Sequence, residues 1–273
     1  MTAPAKPPAP ARPSGAARAS ALTEPRGPGG ALGHRAERVD LAAAFRWFAR
    51  LEMHESVANH LSLAVSADGS KFLINPRGRH FARICAGDLL LLDAHDSSTL
   101  EHPRAPDPTA WYLHATLHAK VPEARCVMHL HSKYATALAC LEDSTLYPID
   151  MNTMRFFGRV ALDEEFSGMA LSDAEGDRVA RLLAGGASVL LMANHGVLVV
   201  GPSVAQAFDE LYYFERAAET LLTCYASGKQ LRVVSDEIAA LTARQWRGYG
   251  QLAVDHFENI KAILDAEEPA YRH

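Results

Sequence analysis

Cysteine is sparse in this chain: Cys85, Cys126, Cys140 and Cys224 are its four, and none stands at CxxC spacing to another. Three lie inside apolar patterns, so they read as reduced core thiols of a cytosolic protein. Long apolar runs are absent too. No stretch approaches the roughly 18 to 20 apolar residues that cross a bilayer as a helix. Blocks of like charge are also missing, and the net charge is −5. Neither a nucleic-acid surface nor a membrane surface is therefore expected as a partner. What remains is an ordinary globular composition, 48% hydrophobic and 22% charged over 273 residues, a length that suits one large domain or two small ones.

Residues 1–36 stand apart. They hold 7 of the 15 prolines and 10 alanines, with five basic residues against one acidic. Such a segment buries too little apolar surface to offset chain entropy, and it is expected to be a disordered tail. An Arg-rich organelle transit peptide is the rival reading, but the prolines would break its amphipathic helix. Residues 37–273 are expected to form the folded body, ending in C-terminal helices.

The chemistry concentrates in histidines. Two sit one residue apart at the end of an apolar run, Cys126-Val127-Met128-His129-Leu130-His131, and a third closes a second run, Ser188-Val189-Leu190-Leu191-Met192-Ala193-Asn194-His195-Gly196. In a strand, positions i and i+2 project to one side, so His129 and His131 aim two imidazoles at one point. His195 leaves its own strand just before a glycine, where the backbone can bend to present a third. Three imidazoles converging from strand ends suit a catalytic metal with an open coordination position.

Periodicity and punctuation give the elements. A helix is expected from an N-cap at Asp40, with Leu41, Phe45, Phe48 and Leu51 on its apolar face. Strands at 61–66 and 71–75 flank the turn Ala67-Asp68-Gly69-Ser70, and 88–93 reads as a buried strand. A loop over 103–108 leads to a helix over 109–120. A strand at 126–130 and a helix at 133–141 follow. Ser172 with Glu175 forms a capping box for a helix that ends at Gly185-Gly186. Strands at 188–193 and 197–200 precede helices over 203–225 and 236–267, the latter loosened at Gly248 and Gly250. Short hairpin-linked strands mixed with helices imply a single α/β domain with a mostly antiparallel sheet.

These segments together resemble the class II aldolase/adducin family. The resemblance is carried by residues 113–132, from Leu113-His114 through His129-Leu130-His131-Ser132, and by Asn194-His195-Gly196-Val197-Leu198-Val199-Val200-Gly201. Asn59-His60-Leu61-Ser62, Phe72-Leu73-Ile74-Asn75-Pro76-Arg77-Gly78 and the helix 211–219 fit as well. The resemblance implies a three-layer α/β/α fold with a central sheet. It also implies one divalent metal ion per chain on His129, His131 and His195, with Zn favoured and Mn, Fe or Co also suited. It further implies a cyclic homotetramer with active sites between subunits.

The chain departs from the family's sugar-phosphate aldolases where they act. Their catalytic glutamate corresponds to Ala110 in Pro108-Thr109-Ala110-Trp111, and one of their two phosphate-binding serines is a proline. Ala110 cannot move a proton. Related chains that keep the three histidines without that glutamate include a hydroxypyridine dicarboxylate decarboxylase and an iron-dependent oxygenase of an aromatic hydroxy acid. The favoured expectation is thus a metal-dependent carbon–carbon lyase in the cytoplasm. It would decarboxylate or retro-aldol cleave a small hydroxy or keto carboxylate through a metal-stabilised enolate. A sugar-phosphate aldolase, a non-haem iron oxygenase and a non-enzymatic adducin-like actin-binding protein are the alternatives. His60 and Glu55 are the candidate acid/base residues. Arg77, Tyr134 and His114 are candidate substrate contacts, Arg77 because a guanidinium can hold a carboxylate bidentately. His114 and His118 share a helix face.

Overall fold

The strand Cys126–Leu130 shows how the sheet sorts its side chains. Cys126, Met128 and Leu130 enter one core, whereas Val127 enters another on the opposite face. His129 shares the face of Val127 by the same alternation. The computed structural model describes residues 33–166 and 168–273. In it, β1 (His60–Ala64), β2 (Lys71–Ile74), β3 (Leu90–Asp93), β4 (Cys126–Leu130), β5 (Val160–Asp163), β6 (Val189–Met192) and β7 (Gly196–Gly201) form one sheet in the order β3-β2-β1-β4-β7-β6-β5. Every pairing is antiparallel except β5 with β6.

Helices cover both faces. On one side α1 (Arg35–Arg50), α3 (Lys133–Ala139), α6 (Val204–Ala226) and α8 (Gly250–Glu267) bury Phe45, Phe48, Leu138, Phe208, Phe214 and Phe257 against Leu61, Met128, Leu191 and Val199. On the other, α2 (Pro108–Lys120) and α5 (Asp173–Leu183) pack Leu113, Leu117, Val179 and Leu183 against Val127, Leu190 and Leu198. The short α4 (Met151–Arg155) and α7 (Asp236–Arg247) pack against each other, and α4 also meets α6. This is the expected three-layer α/β/α arrangement with a mostly antiparallel central sheet. Among the described residues, no helix is long and apolar enough to cross a membrane.

Several boundaries differ from the sequence reading. α1 starts at Arg35, not after Asp40. Buried Arg38 fastens its first turn, donating to the carbonyls of Gly33 at 2.8 Å and Leu89 at 2.6 Å, while Asp40 pairs with Lys261 at 2.7 Å. Ser172 is the N-cap of α5, but its side chain makes no capping bond. Glu175 instead turns to Arg178 at 2.5 Å, so a stronger ionic partner displaces the capping box. β3 begins at Leu90 because residues 86–88 form a 3-10 turn. α3 stops at Ala139. α4 and β5 have no counterpart in the sequence reading; β5 is a half-buried edge strand that lacks alternation. The expectation for a disordered tail falls, up to residue 32, outside the described residues, and residues 35–36 already belong to α1.

Candidate metal centre

β1 and β4 place His60 directly opposite His129 in their antiparallel register. Leu61 and Leu63 of β1 enter the α1/α6 core, which turns His60 and Ser62 toward α2. His131 stands one residue past the end of β4. The chain there is held by Glu215 of α6, a buried carboxylate. It accepts from the Ser132 hydroxyl at 2.6 Å, Tyr134 N–H at 2.8 Å and Ala135 N–H at 2.9 Å. Glu215 thereby caps α3 and fixes the exit of the HxH segment.

The third imidazole comes from the β6–β7 turn. Asn194 takes a left-handed conformation, φ 56°, a backbone state that asparagine tolerates. Its N–H donates to the Ala139 carbonyl at 3.1 Å. Gly196 lets the turn press against the HxH segment: a Cβ there would lie 2.6 Å from the Leu130 carbonyl oxygen and 2.9 Å from the His131 ring.

The result is a cluster of three ligand atoms, from His129, His131 and His195, all within 4.8 Å of one another. Two of the rings have an assigned tautomer. His129 Nδ1–H donates to the Val197 carbonyl at 3.0 Å, and His131 Nδ1–H donates to Glu55 Oε2 at 2.7 Å. Their Nε2 atoms therefore carry lone pairs, and these face each other at 3.1 Å. Two imidazole lone pairs at that distance repel unless a cation lies between them, so the donor set fits a divalent metal. Burial, with added repulsion from neighbouring imidazoles, holds His129 well below the usual histidine range. Burial and His131 push His195 down to about 4, against a weaker pull from Asp163 and Glu175. Neutral imidazoles are the ligating form.

The cluster lines a cavity of about 460 Å³ together with Glu55, His60, Asp107, Thr136, Phe166 and Met169. His60 is 3% exposed, and its ring lies 4.9 Å from that of His129. His114 is fully buried behind it, its Nε2 lying 2.7 Å from His60 Nδ1. Arg77 is exposed, and neither it nor Tyr134 is among the lining residues; Tyr134 lies under the Lys133 ammonium, 5.1 Å from its ring centre. Ala110, which the family resemblance sets at the aldolase glutamate position, is buried with Trp111 and Phe72 and is not itself among the lining residues. The sequence reading missed Asp107, which caps α2 by accepting from Thr109 N–H at 2.9 Å, as well as Thr136, whose buried hydroxyl has no partner among the described residues. It also missed Phe166 and Met169. An Asp before Pro-Thr at a helix start could have flagged Asp107; nothing local flags the others.

A larger cavity of about 500 Å³ lies where α6 meets the C-terminal helices. Several of its charges pair with one another, Arg155 with Asp209 at 2.7 Å and Arg159 with Glu210 at 2.6 Å.

Comparison with known proteins agrees with this fold. An aldolase II superfamily protein from Pseudomonas syringae superposes with a TM-score of 0.78 at 28% identity, covering 88% of this chain and 96% of that one. The decarboxylase NovR of Streptomyces niveus is 29% identical over 77% of this chain and 80% of its own. A 4-hydroxy-3-prenylphenylpyruvate oxygenase/4-hydroxy-3-prenylbenzoate synthase of Streptomyces roseochromogenus subsp. oscitans is 27% identical over 77% of this chain and 78% of its own. The family model for the Class II Aldolase and Adducin N-terminal domain matches residues 39–222, and the chain belongs to that family.

Proposed function

We propose that this protein is a metal-dependent carbon–carbon lyase that decarboxylates, or cleaves by retro-aldol chemistry, a small carboxylate bearing an adjacent hydroxyl or keto oxygen. The carrying observation is a three-imidazole cluster lining a cavity, in a chain with Ala110 where the family resemblance sets the aldolase glutamate. His129, His131 and His195 would hold the ion. Bound there, a divalent ion supplies Lewis acidity toward the oxygens that chelate it. The three neutral nitrogens suit Zn, which we favour, and also Mn, Fe or Co.

The chain's own residues divide the remaining work. Glu55 is committed to His131 Nδ1, so His60 is the better carrier for the proton that must leave or reach the reacting carbon. Phe166 and Met169 at the rim, 56% and 74% exposed, suit an apolar or aromatic substituent better than a phosphate. We place the protein in the cytoplasm and infer a homotetramer, in keeping with the family resemblance.

A second reading is favoured by the oxygenase relative: the same three nitrogens would hold Fe(II) for an oxygen-dependent cleavage of an aromatic hydroxy acid. A panel of hydroxy and keto acids and sugar phosphates, each tested with Zn, Mn and Fe(II) with and without oxygen, decides. Release of CO₂ or a carbonyl fragment without oxygen is the expected result. Strict oxygen dependence favours the second reading, and efficient sugar-phosphate cleavage overturns both.

A further inference from the structure

Behind His60 runs an unbroken line of buried polar contacts. His60 Nδ1 lies 2.7 Å from His114 Nε2, and His114 Nδ1 touches the Ser62 hydroxyl. That hydroxyl lies 2.7 Å from His118 Nε2, and His118 Nδ1 lies 2.7 Å from the Ala124 carbonyl oxygen. The line exists because two periodicities meet. His60 and Ser62 are i and i+2 on β1, His114 and His118 are i and i+4 on α2, and the helix lies over that face of the sheet. All four side chains are at most 4% exposed, so bulk solvent does not compete for their contacts within the line.

One end of the line sets its direction. A carbonyl oxygen only accepts, so His118 Nδ1 carries the proton. Burial holds His118 down to about 4, partly opposed by that carbonyl bond, so the ring is neutral and its Nε2 can only accept. The Ser62 hydroxyl must then donate to His118 and, its one hydrogen spent, accept from His114 Nδ1–H. Burial likewise holds His114 well below the usual histidine range. His114 Nε2 therefore accepts from His60 Nδ1–H, and in a neutral imidazole protonated at Nδ1 the lone pair is left on Nε2. That atom has no partner among the described side chains and is not a sealed orphan, and His60 lines the cavity.

We propose that Ser62, His114 and His118 are positioning residues for His60: anchored on the Ala124 carbonyl, they form a one-way hydrogen-bond chain that fixes His60 as the Nδ1–H tautomer and presents its Nε2 lone pair to the cavity. In the resting protein His60 then accepts a hydrogen bond from substrate or water and cannot donate one. Its use as a base rests on the reading of the cavity as an active site; the tautomer does not.

Magic-angle-spinning ¹⁵N NMR of full-length protein labelled in its histidine rings tests the chain, with His60 signals assigned by their loss in His60→Gln. The expected pattern is one His60 tautomer, protonated at Nδ1 and lone-paired at Nε2. Ser62→Ala removes the link, so His60 should become a mixture of tautomers, and Ser62→Thr, which keeps a hydroxyl, should restore the single form. On a substrate found by the panel, kcat/KM of Ser62→Ala should fall roughly tenfold or more at unchanged metal content and recover in Ser62→Thr. A wild-type His60 protonated at Nε2 overturns the proposal whether or not Ser62→Ala folds. So does a His60 pattern that Ser62→Ala leaves unaltered. The expected tautomers with no turnover of any acid would uphold the chain and sink the functional reading instead.

Discussion

Glu55 touches no ligand atom, yet it determines how one is offered. Its carboxylate receives His131 Nδ1–H at 2.7 Å, which fixes the ring's tautomer and raises the basicity of Nε2. Glu55→Gln keeps the shape and removes the charge, so metal affinity should drop roughly 10- to 100-fold, read by competition with a chromogenic chelator. An unchanged affinity would make the contact incidental. The three ligands were legible in sequence because HxH and NHG carry their own geometry: alternation aims His129 and His131, and only glycine at 196 tolerates the 2.6 Å approach to Leu130. Glu55 was legible as an acidic residue near the site and not as the partner of His131, since 76 residues separate them. Ser62, Thr136 and Phe166 were invisible for the same reason: each gains its meaning from a neighbour distant in sequence.

The short helix α3 begins where the HxH segment ends, and its N-cap Ser132 contributes no cap bond of its own. Glu215 from α6 takes that place. Glu215→Ala would strand the Ser132 hydroxyl, the buried Ala135 N–H and the half-buried Tyr134 N–H, at a cost of about 3 kcal/mol, measured by urea unfolding; a loss below about 1 kcal/mol would contradict the cap. Between β1 and α2, the buried histidines link stability to pH. His118 titrates at about 4 when folded and near 6.5 unfolded. Between those values only the unfolded chain takes the proton, so this contribution is complete above about 6.5 and lost as pH falls toward 4. The melting temperature of chelator-treated protein should fall over that window, and His118→Gln should flatten the slope; a flat wild-type profile would show these rings are not held neutral. Element types were readable because most strands are short apolar runs and the helices carry Gly, Pro and Ser punctuation. The start of α1 escaped by six residues because its first turn is fastened by Arg38 to carbonyls of residues 86 and 89, contacts no local pattern records.

Across the whole molecule, the two helical layers serve different purposes. α1, α3, α6 and α8 bury the larger core, whereas α2 brings His114 and His118 to the site face. The site itself opens through Phe166 and Met169, and Met151, Ile238, Tyr249 and Leu252 are exposed elsewhere on the surface. A tetramer is the assembly we propose, so light scattering after size exclusion should give about four times 29.6 kDa; a monomer at micromolar concentration would overturn that inference. The sheet order and the parallel β5–β6 edge were not legible, because strand neighbours are chosen by packing across the whole fold and not by any one segment. The account turns on the metal. Elemental analysis of protein purified without chelators, beside a His129→Ala/His131→Ala variant, tests it most directly. We predict close to one divalent ion per chain in the wild type and almost none in the variant, whereas equal metal in the two proteins would contradict the site.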